Sequence, residues 1–313
     1  MYLNNIITKP HTLFVIIGPT AVGKTTVGIH LAQQLGCPII SADSRQFYKE
    51  MKIGTATPTA VEMEKVKHYF MGNKSVTEDY NVSLYEKEVL DLLPELFSHQ
   101  PFLVMVGGSG LYINAVCNGI DDMPHTDIVV RNQLNDLFDQ EGIIALQQKL
   151  LELDPDYYAE VDIKNPVRLQ RAIEVCLQTG KPYSQLRMKE KKERDFNIVK
   201  IGIEREKPEL VQRIEKRIDQ MMVEGLLDEV KSLLPYRHHN ALNTVGYKEL
   251  FAYLDGSVTI EQAVKNIKVN TRHYAKRQFT WFRKDTDIHW FHPDQIINLI
   301  ESKGNIGQYR LFR

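Results

Sequence analysis

The residues Gly18, Pro19, Thr20, Ala21, Val22, Gly23, Lys24 and Thr25 read GPTAVGKT, and this octet constrains the chain more than any other stretch. Its GxxxxGK[ST] spacing falls between an apolar run, LFVII at 13–17, and a segment of helical periodicity over 25–35 that stops at Gly36. A buried strand, a glycine-rich turn and a helix N-terminus in that order form a phosphate cradle. The glycines let backbone N–H groups turn inward, and the helix end adds its partial positive charge. Lys24 can reach terminal phosphate oxygens, and the Thr25 hydroxyl can ligate Mg²⁺. The octet therefore predicts binding of a phosphorylated ligand, as in nucleotide-binding and ATP-binding loops.

Short apolar runs recur at 38–41 and 102–106, separated by helical segments such as 83–97. Strands without polar alternation, interleaved with helices, predict an α/β fold: a P-loop NTPase-like parallel sheet flanked by helices. From about residue 121 the pattern changes to helices over 131–153 and 165–179, followed by a charge run at 189–194 that reads as an exposed turn. The alternating run 198–203 returns the chain to the sheet. Helical patterns then fill 209–224, 226–234, 247–254 and 260–282. The expected organisation is a core of residues 1–120 and 195–313, a mainly helical insertion domain of residues 121–194, and C-terminal helices.

With 313 residues and a formal net charge of −1, the chain is too neutral to coat nucleic acid along its whole surface. That balance still leaves room for a local basic face. No window has the ~20 apolar residues of a membrane span, and residues 1–10 lack the apolar run and cleavage site of a signal peptide. Cys37, Cys117 and Cys176 stand singly, without CxxC spacing, which reads as reduced core thiols. The expected setting is cytoplasmic, with no membrane partner.

The chemistry beyond phosphate binding turns on carboxylates. An NTPase normally carries an aspartate at the end of a second strand, yet the run 102–106 leads into Gly107, Gly108, Ser109 and Gly110. The run 38–41 does lead to Asp43, within Ser41-Ala42-Asp43-Ser44-Arg45-Gln46. Such a lone carboxylate could ligate magnesium, as in a kinase, or accept a proton from a nucleophile bound opposite the phosphates. The residues by themselves leave both roles open.

Several strings extend this pattern: SADSRQFYKEMKIGTATPT at 41–59, VGGSGLY at 106–112, NPVRLQRAIEV at 165–175, RIEKRIDQMMVEGLLDEV at 213–230, TVGYKEL at 244–250 and TRHYAKRQFTWFRK at 271–284. Together, in this order and over nearly the whole chain, they resemble the bacterial-type tRNA dimethylallyltransferase (tRNA isopentenyltransferase) family. The resemblance implies transfer of a dimethylallyl group from dimethylallyl diphosphate to the exocyclic N6 amine of the adenine 3′-adjacent to the tRNA anticodon, with Mg²⁺ as cofactor and release of diphosphate. It implies Asp43 as general base, with Lys24, Ser109 and Arg131 completing the catalytic set. Ser109 stands where the family usually has threonine, and Arg131 matches an arginine beside the substrate channel. The octet from Gly18 to Thr25 would hold the diphosphate, with Thr25 on the metal. Asp43, Ser44, Arg45 and Gln46, together with Val167, Arg168, Leu169, Gln170 and Arg171, match segments that touch tRNA, as do Lys276 and Arg277. The implied partners are the tRNA anticodon stem-loop and the prenyl diphosphate, with the chain acting as a monomer. The resemblance is to the form without the Cys/His zinc-finger extension that eukaryotic relatives carry.

Between Gln262 and Lys284 there is no Asp or Glu, while Lys265, Lys268, Arg272 and Lys276 recur at helical spacing. This predicts a cationic ridge for the phosphate backbone, with Tyr274, Phe279 and Trp281 interleaved. Phe47, Tyr48 and Tyr112 either wall the base and prenyl group or serve as core aromatics. His238 and His239 lack metal-spaced partners and read as loop surface. The rival readings are a small-molecule kinase or NTPase, an adenylate prenyltransferase, and an RNA-binding module with a vestigial loop. The missing acid after Val106 speaks against the first, the insertion and ridge against the second, and the intact Gly23-Lys24-Thr25 against the third.

Overall fold

Runs of Val, Ile, Leu and Phe with no polar alternation become strands buried on both faces. The computed structural model, which describes residues 8–188 and 190–302, places six strands in one sheet: β1 (Thr12–Ile17), β2 (Ile39–Ser41), β3 (His68–Tyr69), β4 (Phe102–Gly107), β5 (Asn197–Ile203) and β6 (Ile288–Phe291). Their order is β3-β2-β4-β1-β5-β6, and every pairing is parallel. The α/β sheet expected from the sequence is thus present. Ile17 on β1 lies level with Gly107 on β4 and Gly202 on β5. The turns that follow these strands therefore emerge at one edge, where ligands bind in sheets of this kind.

The chain divides into two compact units, Met1–Cys117 with Arg194–Arg313, and Asn118–Glu193. The first unit holds two apolar clusters. One surrounds the sheet and includes Leu13, Ile16, Val27, Val89 and Val104. The other lies among the helices Lys207–Val223, Leu226–Ser232, Tyr247–Leu254 and Ile260–Phe282, and includes Ile214, Ile218, Leu226, Tyr247 and Ile267. The second unit packs the helices Ile128–Glu141, Ile143–Leu153 and Pro166–Thr179 around Leu134, Leu146, Leu150, Leu169 and Ile173.

The single helix expected over 131–153 is two. It breaks at Gly142, whose backbone has φ 75 and whose N–H donates to the Phe138 carbonyl, a C-terminal stop that glycine adopts without steric cost. The helix Gly110–Asn118 begins inside the glycine-rich string after β4, where glycines mask helical periodicity. The strand β6 is short and half-buried along most of its length. Cys37, Cys117 and Cys176 are buried free thiols, and burial pushes Cys37 up to about 12, the state of an inert core thiol. Among the described residues no helix is long and apolar enough to cross a membrane. Lys189 of the charge run, and the first seven residues of the segment read for a leader, lie outside the described residues.

Candidate active site

The cradle forms where β1 stops. Gly23, at φ 110, caps the helix Lys24–Leu35 in a left-handed conformation. Ala21 also has positive φ, at 64, which a residue with a Cβ seldom adopts unless its surroundings enforce it. Those surroundings are cationic side chains on the loop carbonyls: Arg213 Nε donates to Ala21 O at 2.9 Å and Arg205 Nε to Val22 O at 2.9 Å. Lys24 Nζ donates to Pro19 O at 2.8 Å. The Thr20 N–H donates to Gln278 Oε1 at 2.9 Å, while Gln278 Nε2 donates to Gly108 O at 2.9 Å. One buried amide side chain thereby joins the turn after β1 to the turn after β4.

The turn after β2 is set in a similar way. Asp43 Oδ1 accepts the Arg45 N–H at 3.1 Å, a local turn that Asp forms readily. Ser109 Oγ accepts the Ser44 N–H at 2.9 Å and donates to Ser44 Oγ at 3.1 Å. It is also hydrogen-bonded to Tyr274. Ser109 therefore acts on the site through Ser44 and Tyr274, holding the turn that carries Asp43.

These turns open on a cavity of about 430 Å³. Its polar wall includes Thr20, Asp43, Ser44, Arg45, Arg217, Tyr274 and Arg277. Its apolar wall includes Ile214, Ile218, Met221, Leu226 and Ile267, of which all but Met221 are fully buried members of the helical cluster. Withdrawal from water pushes the Lys24 ammonium down to about 8, with Asp43 opposing the shift and Arg217 adding to it. Arg217 is lowered by the same cause, again opposed by Asp43, with Arg213 adding to it. Burial, then the charge of Asp43, raises the Tyr274 phenol. Lys24 and Arg217, both disfavoured as cations by burial, gain from an incoming polyanion. Arg217 Nη1 approaches Thr20 Oγ1 at 3.4 Å, which sets that cation against the cradle.

Of the residues expected from the sequence, Thr20, Ala21, Asp43, Ser44, Arg45 and Arg277 line this cavity. Lys24 sits within electrostatic reach of Asp43. Gln46 points elsewhere in its loop, with Nε2 donating to Thr55 O and Ala56 O at 3.2 Å each. Thr25 faces a separate small void with Ser41 and Gln46. Among the described residues no group of three or more His, Cys, Asp or Glu could hold a metal ion. If a magnesium ion accompanied a bound diphosphate, the Thr25 hydroxyl is the cradle group that would ligate it.

Arg131 and residues 167–171 belong to the second unit. There Arg131 and Arg171 both pair with the buried Glu174. Leu169 is fully buried, and Gln170 donates to Leu134 O and Asn135 Oδ1. Arg171 also donates to Pro124 O at 2.7 Å. Val167 and Arg168 are the exposed members of that set.

The ridge needs correction. Lys268 pairs with Asp219 and Arg272 with Glu215, both acids supplied by the neighbouring helix Lys207–Val223. Lys265 and Lys276 remain exposed. Phe47 and Tyr48 are core residues. Tyr112 packs on Phe47 and Tyr85, with ring centroids 5.6 and 5.3 Å away. His238 and His239 are exposed. Sequence reasoning assigned no role to Arg217 or Gln278. The available signal for Arg217 was a cation inside the apolar stripe Ile214, Ile218, Met221 of one helix face.

A family model described as IPP transferase matches residues 46–285. The chain belongs to the IPP transferase family. Within that family it is 49% identical to tRNA dimethylallyltransferase 1 of Bacteroides thetaiotaomicron, over 93% of this chain and 94% of the relative. It is 50% identical to tRNA dimethylallyltransferase 2 of Parabacteroides distasonis, over 91% and 95%. Its fold matches the tRNA isopentenylpyrophosphate transferase of Bacillus halodurans with a TM-score of 0.68 and 37% identity, covering 96% of this chain and 97% of the other. A eukaryotic dimethylallyltransferase acting on tRNA matches with a TM-score of 0.77 and 25% identity, covering 95% and 78%.

Proposed function

We infer that this chain is a tRNA prenyl-transfer enzyme, moving a dimethylallyl group from its diphosphate to the exocyclic N6 of the adenine 3′-adjacent to the anticodon. The observation that carries the site assignment is one cavity lined by both Asp43 and Thr20 of the cradle, with Lys24 and Arg217 in electrostatic reach of Asp43. Diphosphate seated at the cradle meets Lys24, Arg217 and the helix end, which stabilise its negative charge as it leaves. A magnesium ion on Thr25 would add charge neutralisation at the same oxygens. The apolar wall of Ile214, Ile218 and Met221 offers the dimethylallyl group an apolar surface.

In the reaction the bond between C1 of the dimethylallyl group and the diphosphate oxygen breaks, and a bond from N6 to C1 forms. The N6 proton passes to the Asp43 carboxylate. Extruding the adenine from its stack costs roughly a few kcal/mol, and an anticodon loop gives up less pairing than a duplex. Arg45, Arg277 and Lys248 line the cavity and offer cations to tRNA phosphates, with Lys265 and Lys276 exposed nearby in sequence. Val167 and Arg168 of the second unit offer further tRNA contacts.

Incubation of the protein with tRNA, magnesium and dimethylallyl diphosphate tests this reading. Nucleoside mass spectrometry should show an adenosine heavier by one dimethylallyl group, and no ADP should form when ATP is supplied instead. Stoichiometric ADP formation, with tRNA unmodified, would overturn it in favour of phosphoryl transfer.

A further inference from the structure

Glu229, on the helix Leu226–Ser232, takes no part in the chemistry above, yet its carboxylate gathers four donors. Oε2 accepts the N–H groups of Lys52 at 2.9 Å and Ile53 at 2.8 Å. Oε1 accepts the Gly54 N–H at 3.0 Å and the Tyr247 hydroxyl at 2.7 Å. Three successive backbone N–H groups turned to one side make a concavity of the type that elsewhere binds phosphate. Here the chain fills it with its own anion, from about 175 residues downstream.

The clamp is held by packing and by further hydrogen bonds. Tyr247 is fully buried. Burial and the Glu229 charge hold its phenol far above the usual range, so the hydroxyl remains a donor. Gly54 lies so close to that ring that a Cβ would come within 2.6 Å of Cε2 and Oη. Beyond the clamp, the Ala56 N–H returns to Ile53 O at 2.9 Å and the Thr57 N–H to Lys52 O at 3.0 Å. Gln46 grips Thr55 O and Ala56 O from the other side, and its own N–H donates to Asp43 O at 3.1 Å. Gly54 and Thr55 line the same cavity as Asp43 and Ser44.

We propose that Glu229 is a positioning residue for the acceptor. By holding the amides of Lys52, Ile53 and Gly54, it fixes the cavity wall formed by Gly54 and Thr55. Through Gln46 it also fixes the turn that presents Asp43 to the incoming base. The diphosphate cradle is built from other segments and does not depend on this clamp. The proposal rests on reading the cavity as the transfer site.

The test is Glu229→Gln, which keeps the shape but turns an NH₂ group toward backbone donors. The kcat/KM for tRNA should fall roughly ten- to a hundredfold, the scale of a misplacement of about 1 Å. Dimethylallyl diphosphate, titrated directly, should still bind one per chain with affinity within about twofold of the parent. A role confined to stability would reduce the donor-binding stoichiometry and leave the KM for tRNA unchanged, and that result would overturn the proposal. Gly54→Ala, which drives the loop off Tyr247 with Glu229 intact, should reproduce the selective loss and keeps the test alive where Glu229→Gln does not fold. Parent-like kcat/KM for tRNA in either folded variant also contradicts the proposal. Absence of prenyl transfer by the unaltered protein would remove the underlying reading as well, so the two failures are distinct.

Discussion

The two sides of the cavity are built by different means. Its sheet side, carrying Thr20, Asp43 and Ser44 with Ser109 behind them, comes from turns that follow β1, β2 and β4. Each turn is shaped by the strand it leaves and by local glycines and Asx geometry. Its helical side, carrying Arg217, Tyr274 and Arg277, comes from the helices Lys207–Val223 and Ile260–Phe282. Gln278 on the second of these reaches Thr20 across 258 residues and Gly108 across 170. The difference teaches that a phosphate cradle is a generic backbone shape. What specialises it are cations and clamps brought in from remote helices that share one apolar cluster.

That contrast makes graded predictions. The largest effect belongs to the sheet side: Asp43→Asn should lower single-turnover transfer by roughly a hundred- to ten-thousandfold, with donor affinity preserved. On the helical side, Arg217→Gln removes a cation set against Thr20 and should lower kcat/KM for the donor by about a hundred- to a thousandfold. A loss as small as severalfold would mean the cradle works without help from the helices. Gln278→Ala strands the Thr20 N–H and the Gly108 carbonyl, which should cost about 1–3 kcal/mol in denaturant unfolding. An unchanged midpoint would show that the two sides are not joined there.

Smaller effects concern charge. Lys24 titrates near 8 without ligand, and a bound diphosphate favours its charged form, so the bound pKa lies higher. Affinity for diphosphate should therefore be full below pH 8 and fall as pH rises through the window above it, by up to about tenfold per unit. Calorimetry at pH 8.5 in buffers of different ionisation enthalpy should show proton uptake on binding; its absence would contradict the assignment. The smallest effect is on the ridge. Replacing Lys265 or Lys276 by alanine should lower the salt slope of tRNA binding by about one unit each. Lys268→Ala and Arg272→Ala should change it less, because Asp219 and Glu215 already neutralise those cations.

The sheet side was legible because its signals are local. The apolar run, octet and helix of β1 and its successor are contiguous, and Asp43 follows directly on β2. The helical side was legible in part: Arg277 was read as a tRNA contact and Tyr274 as part of a cationic ridge, while Arg217 and Glu229 lay in a family string without a role. The helical patterns 209–224 and 226–234, which hold Arg217 and Glu229, do not reveal until packing is known which face meets the cavity and which carboxylate meets the 52–54 amides. The ridge shows the converse error: the absence of acids within 262–284 is no measure of charge once a second helix lays Glu215 and Asp219 alongside. Likewise Leu169 and Gln170 sit in a string that matches tRNA-touching segments, yet helical periodicity turns them into the core of the second unit.

The central claim is that Asp43 serves the acceptor amine and not the metal, and the magnesium dependence of transfer by Asp43→Asn tests it most directly. Donor and tRNA at saturation, with magnesium varied over a wide range, should give a rate that stays low and flat while the unaltered protein saturates normally. Recovery of transfer toward the parent rate at high magnesium, together with weakened donor binding at low magnesium, would contradict the account and make Asp43 a metal ligand.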